Sequence, residues 1–473
     1  MSGPALERAT AWTIVVGLAA AAMVAALALI IWRTPFPVSE TVALLEDVAR
    51  RPAASFFVPD TPYYRPLFHT MLSALWNSSL PLDTRLSLLR SLHIIPPALL
   101  ALLFVAHVRP RSALDAGAAL LGLAVLLGSP GFRDNMEIPL SYTTVGMPLA
   151  LAAWMILTAE RRAWHAPVLV ALAIIAIGFK EQGLAIVAVV MAAAITRAPG
   201  ASRTVTAAVA VLAVAYVGLR LTWHGRLPLF EQAIGLGFHE IEPREAIARY
   251  GAFPYFVYAY SAAATMTNVL FSEPTGGVFS ITWTVGHGVA APWEYINAVS
   301  SLMLTSLIVW WGADAFARVR VEGWSEDART AVALTLVLLA CGALSFNYSR
   351  DRLGGMAVPF YALAAVFAVR AAATRIMEWP PARFAAGAVA LVLLGGLWQT
   401  RVVGTAETLR AFSSRNQMEW LTQGPARREE FAARPVYLSI LEVMRPQGIV
   451  DGAPRPTRFA PALARLFGPG EEP

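Results

Sequence analysis

Lysine is almost missing from this chain: Lys180 stands alone, and the other 36 of the 37 basic residues are arginine. It lies in "AIIAIGFKEQGLAIVAVV" (residues 173–190), beside Glu181 inside an apolar run, where a general need for charge does not explain an ammonium. Cysteine is equally scarce. Cys341, alone in "LLACGALSF", excludes an intrachain disulfide and a thiolate metal cluster. Charged residues make up only 14% against 57% hydrophobic, a balance outside that of ordinary soluble domains. The sequence also lacks a glycine-rich phosphate loop and any alternation of strand and helix patterns, which leaves no room for a nucleotide-sugar domain of the Rossmann kind. His239 and Glu240 in "GFHEIEPRE" have no second histidine at helical spacing, so no metal set is read there. The net charge of +6 is spread over connectors without a stripe of interleaved aromatics, which argues against nucleic acid and for membrane topology with contact to membrane lipid.

What the chain has in quantity is spanning segments. Apolar runs lie near residues 11–32, 94–108, 113–128, 143–158, 164–179, 184–196, 204–222, 298–316, 331–346, 354–370 and 384–399. The expected fold is an all-α polytopic membrane protein of about 11 to 13 transmembrane helices. The first run is long for a signal-peptide core and is followed by "RTPFP", so it is read as a retained span. Short connectors rich in arginine mark the cytoplasmic side: Arg109 and Arg111, Arg161 and Arg162, Arg197 and Arg203, Arg318 and Arg320, Arg370 and Arg375. The amino terminus is then cytoplasmic. Residues 33–90, 129–142, 180–183, 223–297, 347–353 and the tail from 400 face outward. This gives a transmembrane domain over 1–399 with a first outer loop (33–90) and a long outer loop (223–297), and a short extracytoplasmic tail over 400–473. Whether 252–297 crosses the membrane stays open.

The run from Ala163 to Thr196 would measure about 50 Å as one helix, against a hydrocarbon core of about 30 Å. A hairpin with "KEQG" as its outer corner fits better. A lysine near the bilayer is expensive, roughly 2.5 to 3.5 kcal/mol at the helix centre, and those that persist tend to face functional cavities; a snorkelling interfacial Lys–Glu pair is the plainer alternative. Other polar groups fall on the same side. Glu40 and Asp47 lie seven apart in "TPFPVSETVALLEDVARR", on one face of a helix beginning near Ser39. Asp60, Tyr64 and Arg65 follow in "VPDTPYYRPLFH", then Arg133, Asp134 and Glu137 in "GFRDNMEIPLSY", and Arg350, Asp351 and Arg352 in "NYSRDRLGG". Each alone is weak. Together they place carboxylates and cations from distant segments at one depth beside the bilayer.

The stretches "YYRPL" (63–67), "RSLHIIPPALLALL" (90–103) and "GFKEQGLAI" (178–186) resemble motifs of the transmembrane-and-tetratricopeptide O-mannosyltransferases and their bacterial relatives, and the chain as a whole resembles a GT-C-fold glycosyltransferase. Motif support covers residues 11–225. The resemblance implies an integral membrane enzyme that takes a sugar from a polyprenyl or dolichyl phosphate, with an acid of the first outer loop beside the reacting carbon. The family has an acidic pair where this chain reads Ser39-Glu40, so the role falls to Glu40. The tetratricopeptide repeats are missing, as the tail shows no period of that kind.

The resulting expectation is inverting transfer of a sugar from a lipid-phosphate donor to a hydroxyl of a glycan, lipid or protein acceptor at the outer face of a bacterial inner membrane. Glu40 takes the acceptor proton, and Lys180, Arg350, Arg352 and Arg65 hold the phosphate. Glu181 steadies Lys180, while Asp47, Asp60, Tyr64 and Asp134 support the sugar or acceptor. No protein cofactor is implied, and a divalent metal is left open. A ligase or polymerase of lipid-linked glycan, using Arg226, Arg244 and Arg249, is the nearest rival, and a lipid or solute transporter a more distant one.

Overall fold

The structure, a computed structural model, describes residues 3–50, 65–137, 144–222, 234–236, 239–241, 243–250, 255–273, 277–286, 288, 291–422 and 434–450. It is a helical bundle, and among the described residues each apolar run of the sequence lies largely in helix. The helices that carry these runs are α1 (Gly3–Trp32), α4 (Leu82–Val108), α5 (Ala113–Gly128), α7 (Gly146–Thr158), α8 (His165–Phe179), α9 (Ile186–Ile195), α10 (Arg203–Thr222), α14 (Pro292–Glu322), α15 (Glu326–Leu344), α16 (Val358–Met377) and α17 (Pro381–Thr422). Among the described residues seven stretches are long and apolar enough to cross a membrane alone, eight if α5 and the bent-off α6 (Pro130–Met136) count as one. α7, α8 and the 181–195 stretch are shorter apolar helices. The chain is a multi-pass membrane protein.

α16 is the axis of the bundle. Its "VPFYALAAVFAVRAAAT" is rich in alanine, and small side chains let neighbouring backbones approach closely in a membrane. α5, α14, α15 and α17 pack around it, and its residues from Val358 to Ala365 are buried throughout.

The arginine-bearing connectors gather at one end of the bundle. There Thr13 Oγ1 donates to Pro110 O (3.2 Å), Gly200 N to Leu157 O (2.9 Å), and Arg370 pairs with Asp115 (2.8 Å). The opposite end carries the corner at Lys180, α6, and the 351–357 turn. α12 (Tyr255–Phe271) lies at this second end, where Asn268 donates to Asp351 (2.8 Å). Neither α12 nor α13 (Val278–Gly286) is long and apolar enough to be a span by itself.

The helical architecture carries one small sheet that the sequence patterns did not signal: β1 (Ile234–Leu236) pairs antiparallel with β2 (His239–Ile241) and parallel with β3 (Tyr348–Ser349). A second apolar core lies beyond this end of the bundle. One turn of π-helix over Val38–Val42 leads into α2 (Ala43–Arg50), and these pack with α3 (Pro66–Trp76), the start of α4 and α18 (Pro435–Met444) around Phe36, Leu45, Leu72, Trp420 and Ile440. α17 does not stop near residue 399 but continues unbroken to Thr422, and its last turns clasp the first loop: Asn416 donates to Pro35 O (2.9 Å), Trp420 Nε1 to Phe36 O (2.7 Å), and Glu419 accepts from Val38 N (3.2 Å).

Candidate functional site

Three irregular stretches meet at the end opposite the basic connectors, and the local sequence explains each. α8 ends at Phe179 because Lys180 is extended (φ −159°, ψ 145°). Its carbonyl accepts from Gly183 N (2.8 Å), which closes a 3-10 turn over Glu181–Ala185 before α9 begins. Gly183 is required there, since a Cβ would overlap the Ala176 carbonyl of the preceding helix. The "KEQG" hairpin expected from the sequence is thus present as a tight corner.

α6 arises from Ser129-Pro130. Proline lacks an N–H and disfavours helical backbone in the residue before it, so Ser129 is extended (ψ 145°) and its hydroxyl caps Phe132 N (3.2 Å). The axis bends by 53°. The bent turn carries Arg133, Asp134 and Asn135 to the 3-10 turn Asp351–Ala357. Arg133 pairs with Asp351 (3.0 Å), Asp134 accepts from Arg352 N (2.8 Å), and the Asn135 amide donates to Gly131 O (2.6 Å) and Arg352 O (3.1 Å). Asn135 sits against Gly355, where no Cβ would fit. Of these groups Asp351 stands in the sequence among the polar residues of this end without a role in the site, and Asn135 is not singled out at all. The contacts that bring them into the cluster, to Arg133 and to Arg352 O, span 218 and 217 residues and leave no local mark.

Lys180 is 7% exposed and lines a narrow crevice with Asn135, Gln182, Met147, Arg352 and Met356. Arg65, the residue before α3, grips Glu181 with a two-pronged fork: Nη2 to Oε1 at 2.8 Å and Nε to Oε2 at 3.0 Å. Residues from four distant segments, 65, 134, 180–181 and 352, therefore share one electrostatic neighbourhood. Burial, then Arg352 and Arg65, push the Lys180 ammonium well below its ordinary 10.5, while Glu181 and Asp134 pull the other way. Burial would raise the Glu181 carboxyl, but Arg65 and Lys180 overrule it and hold it at about 2. Just past α6, burial and the neighbouring Asp134 push Glu137 well above the usual carboxylate range, and the two carboxyls hydrogen-bond.

The remaining expected residues fall elsewhere. The Arg350 guanidinium lies over the Tyr348 ring at 5.6 Å. Asp47 is half-buried on α2 in the second core; the fully buried acid of that helix is its neighbour Glu46, which accepts from Val436 N (3.1 Å) at the start of α18. Glu40 lies in the π turn, but its side chain is outside the described residues, as are Asp60, Tyr64, Arg226 and Arg249. Arg244 is exposed on α11 (Pro243–Tyr250). Among the described residues no group of histidine, cysteine and carboxylates is arranged to hold a metal.

Arg401 went unnoticed in the sequence. It is 4% exposed and donates to Gly128 O (3.3 Å), Ser300 Oγ (3.1 Å), Ser301 Oγ (2.8 Å) and Ser272 Oγ (2.7 Å), with the Trp398 ring at 3.8 Å. The Gly128 carbonyl is freed by the helix break, so this guanidinium satisfies the backbone at the point where α6 turns toward Lys180. An arginine following an apolar run, in "GGLWQTRVVG", was the only sign of it.

The fold and site define a polytopic helical membrane protein with a buried ionic cluster at one end of its bundle. No family model and no curated protein matches the chain. Among solved structures it is similar to the crystal structure of ArnT from Cupriavidus metallidurans bound to undecaprenyl phosphate, with 15% identity and a TM-score of 0.40 over 93% of this chain and 75% of that one.

Proposed function

We propose that the chain is a membrane glycosyltransferase that takes a sugar from a polyprenyl phosphate and passes it to a hydroxyl acceptor at the outer face of the membrane. The observation that carries this reading is the setting of Lys180: a buried ammonium beside Arg352 and Arg65, in a crevice at the end of the bundle where the motifs resembling lipid-phosphate-dependent enzymes come together. Arg65 is committed to Glu181, while Lys180 and Arg352 line the crevice, where a phosphate entering from the membrane would meet both.

In the reaction the acceptor oxygen attacks the anomeric carbon as the bond from that carbon to the phosphate oxygen breaks. The electron pair leaves with the phosphate, and the charge that develops there falls to Lys180 and the Arg352 guanidinium. Arg65 acts through Glu181, since its fork is committed to that carboxylate. The acceptor proton goes to Glu40, from the first outer loop.

Binding of a polyprenyl phosphate to the purified protein tests this reading. Lys180→Met is expected to weaken binding by about 10-fold or more, the loss of one charge-assisted contact. Undiminished affinity in a folded Lys180→Met protein would remove Lys180 from the phosphate site. Glu40→Gln should retain donor binding while turnover drops about 10²- to 10⁴-fold.

A further inference from the structure

A half-open cavity lies at the other end of the bundle, among the arginine-bearing connectors, and the proposed sugar transfer makes no use of it. Its volume is about 510 Å³, within the size range of small-ligand sites. Arg109, Arg111 and Arg370 supply its cations, the His107 imidazole adds a neutral polar edge, and Asp115 and Glu326 are its acids.

The acids neutralise Arg370 and leave the other two arginines of the cavity without a carboxylate partner among the described residues. Asp115 is engaged by Arg370 (2.8 Å) and by the backbone N–H of Arg111 (3.1 Å). Glu326 is 60% exposed and 3.9 Å from His107 Nε2. Among the described residues no carboxylate pairs with the guanidinium of Arg109 or Arg111, and both side chains are exposed. The buried Nε2 of His107 also lacks a hydrogen-bond partner. Arg109 has a further peculiarity. It closes α4 in the left-handed region (φ 44°, ψ 67°), a position where glycine or asparagine is unstrained. Arg109 Nε donates to Ala106 O (3.0 Å), which places the guanidinium at the edge of the cavity.

We propose that this cavity binds a phosphate-bearing anion, held by Arg109 and Arg111 at its mouth with Arg370 and His107 behind them. Forked guanidiniums suit phosphate oxygens, and Phe367 and Met155 line the cavity beside them. The same chemistry is offered by the headgroup of an anionic phospholipid in the adjoining leaflet and by free phosphate in solution. The site lies at the opposite end of the bundle from Lys180 and stands independently of the sugar-transfer reading.

The full chain in neutral detergent, titrated separately with short-chain phosphatidylglycerol, short-chain phosphatidylcholine and inorganic phosphate, tests the site. Saturable binding of phosphatidylglycerol or phosphate is expected, with phosphatidylcholine weaker. Preference for phosphatidylglycerol over inorganic phosphate assigns the lipid headgroup, and equal or stronger binding of inorganic phosphate assigns the soluble anion. In either arm Arg109→Gln with Arg111→Gln should weaken binding about 10-fold or more, the effect of removing two charge-assisted contacts. Glu326→Gln, which removes an acid without touching the cations, should tighten it by about 2- to 5-fold. No saturable binding of either anion, or equal binding by the Arg109/Arg111 double variant, overturns the proposal. The two arginines are exposed, so their replacement leaves the bundle to fold.

Discussion

At the scale of single residues the decisive pair is Arg65 and Glu181. Both side chains are 14% exposed, and the carboxylate keeps its charge because the fork and the ammonium outweigh burial. Glu181→Gln leaves Arg65 and Lys180 buried without their anion, and removing one partner of such a pair costs about 3 to 5 kcal/mol. Thermal unfolding of the variant in detergent should therefore show a clear drop, and an unchanged transition would mean that the pair contributes nothing. The pH dependence has a definite sign. The Glu181 carboxyl lies at about 2 in the fold against an ordinary 4.5, so its contribution is fully present above about pH 4.5 and disappears as the pH falls toward 2. Lys180 behaves oppositely as a ligand group. Its proton is held less tightly than an ordinary lysine's, so affinity for a lipid phosphate should fall with rising pH well before the usual lysine range. Lys180→Arg, whose charge does not titrate there, should flatten that profile. A profile identical in wild type and Lys180→Arg would assign the titration to another group.

At the scale of elements the site depends on two interruptions of helix. The corner after α8 needs Gly183, and Gly183→Ala forces the 3-10 turn off the Ala176 carbonyl, with a cost of about 1 to 3 kcal/mol and displacement of Lys180. Such a variant should fold with a lowered transition and lose donor affinity together. The break before α6 depends on Arg401. Arg401→Met leaves the Gly128 carbonyl without its donor, costing about 1 to 3 kcal/mol, and should loosen the stretch from Ser129 to Glu137. Hydrogen exchange over those residues reads this directly: faster exchange there, with α8 unchanged, is the expected pattern. The elements were legible in the sequence to different degrees. Each apolar run became a helix, because a backbone in lipid must satisfy its hydrogen bonds internally and long apolar runs leave it no other structure. The corner at Lys180 could be read because a charge in such a run has few tolerable positions. The far end of α17 was legible only as a separate piece: "AETLRAFSSRNQMEWLTQ" (406–423) reads as a helix of the tail, but beyond residue 399 the residues are polar enough that hydropathy does not join it to the span, whereas the chain is helical without a break to Thr422. The contacts of Asp134 and Asp351 join segments 218 residues apart, and the sheet joins the long outer loop to the 347–353 turn. No periodicity encodes such pairings.

At the scale of the whole molecule the two ends of the bundle differ in kind. One collects the arginine connectors and the large cavity, and the other collects Lys180, the broken helices and a second apolar core built from the first loop and the end of the chain. The distribution of arginine predicts the sidedness, with the arginine-bearing end cytoplasmic. Asp83 is exposed at the start of α4 at the Lys180 end, and Arg161 is exposed between α7 and α8 at the other. With buried Cys341 replaced by serine, Asp83→Cys should react with a membrane-impermeant maleimide on intact cells. Arg161→Cys should react only once the membrane is opened. The reverse pattern would put the Lys180 cluster in the cytoplasm and end the case for transfer at the outer face, while leaving the geometry of the cluster itself untouched. Labelling as expected leaves a lipid-borne phosphate as the anion that can reach Lys180 from within the membrane, because the crevice lies between the ends of membrane helices and the soluble nucleotide sugars of the cell stand on the other side.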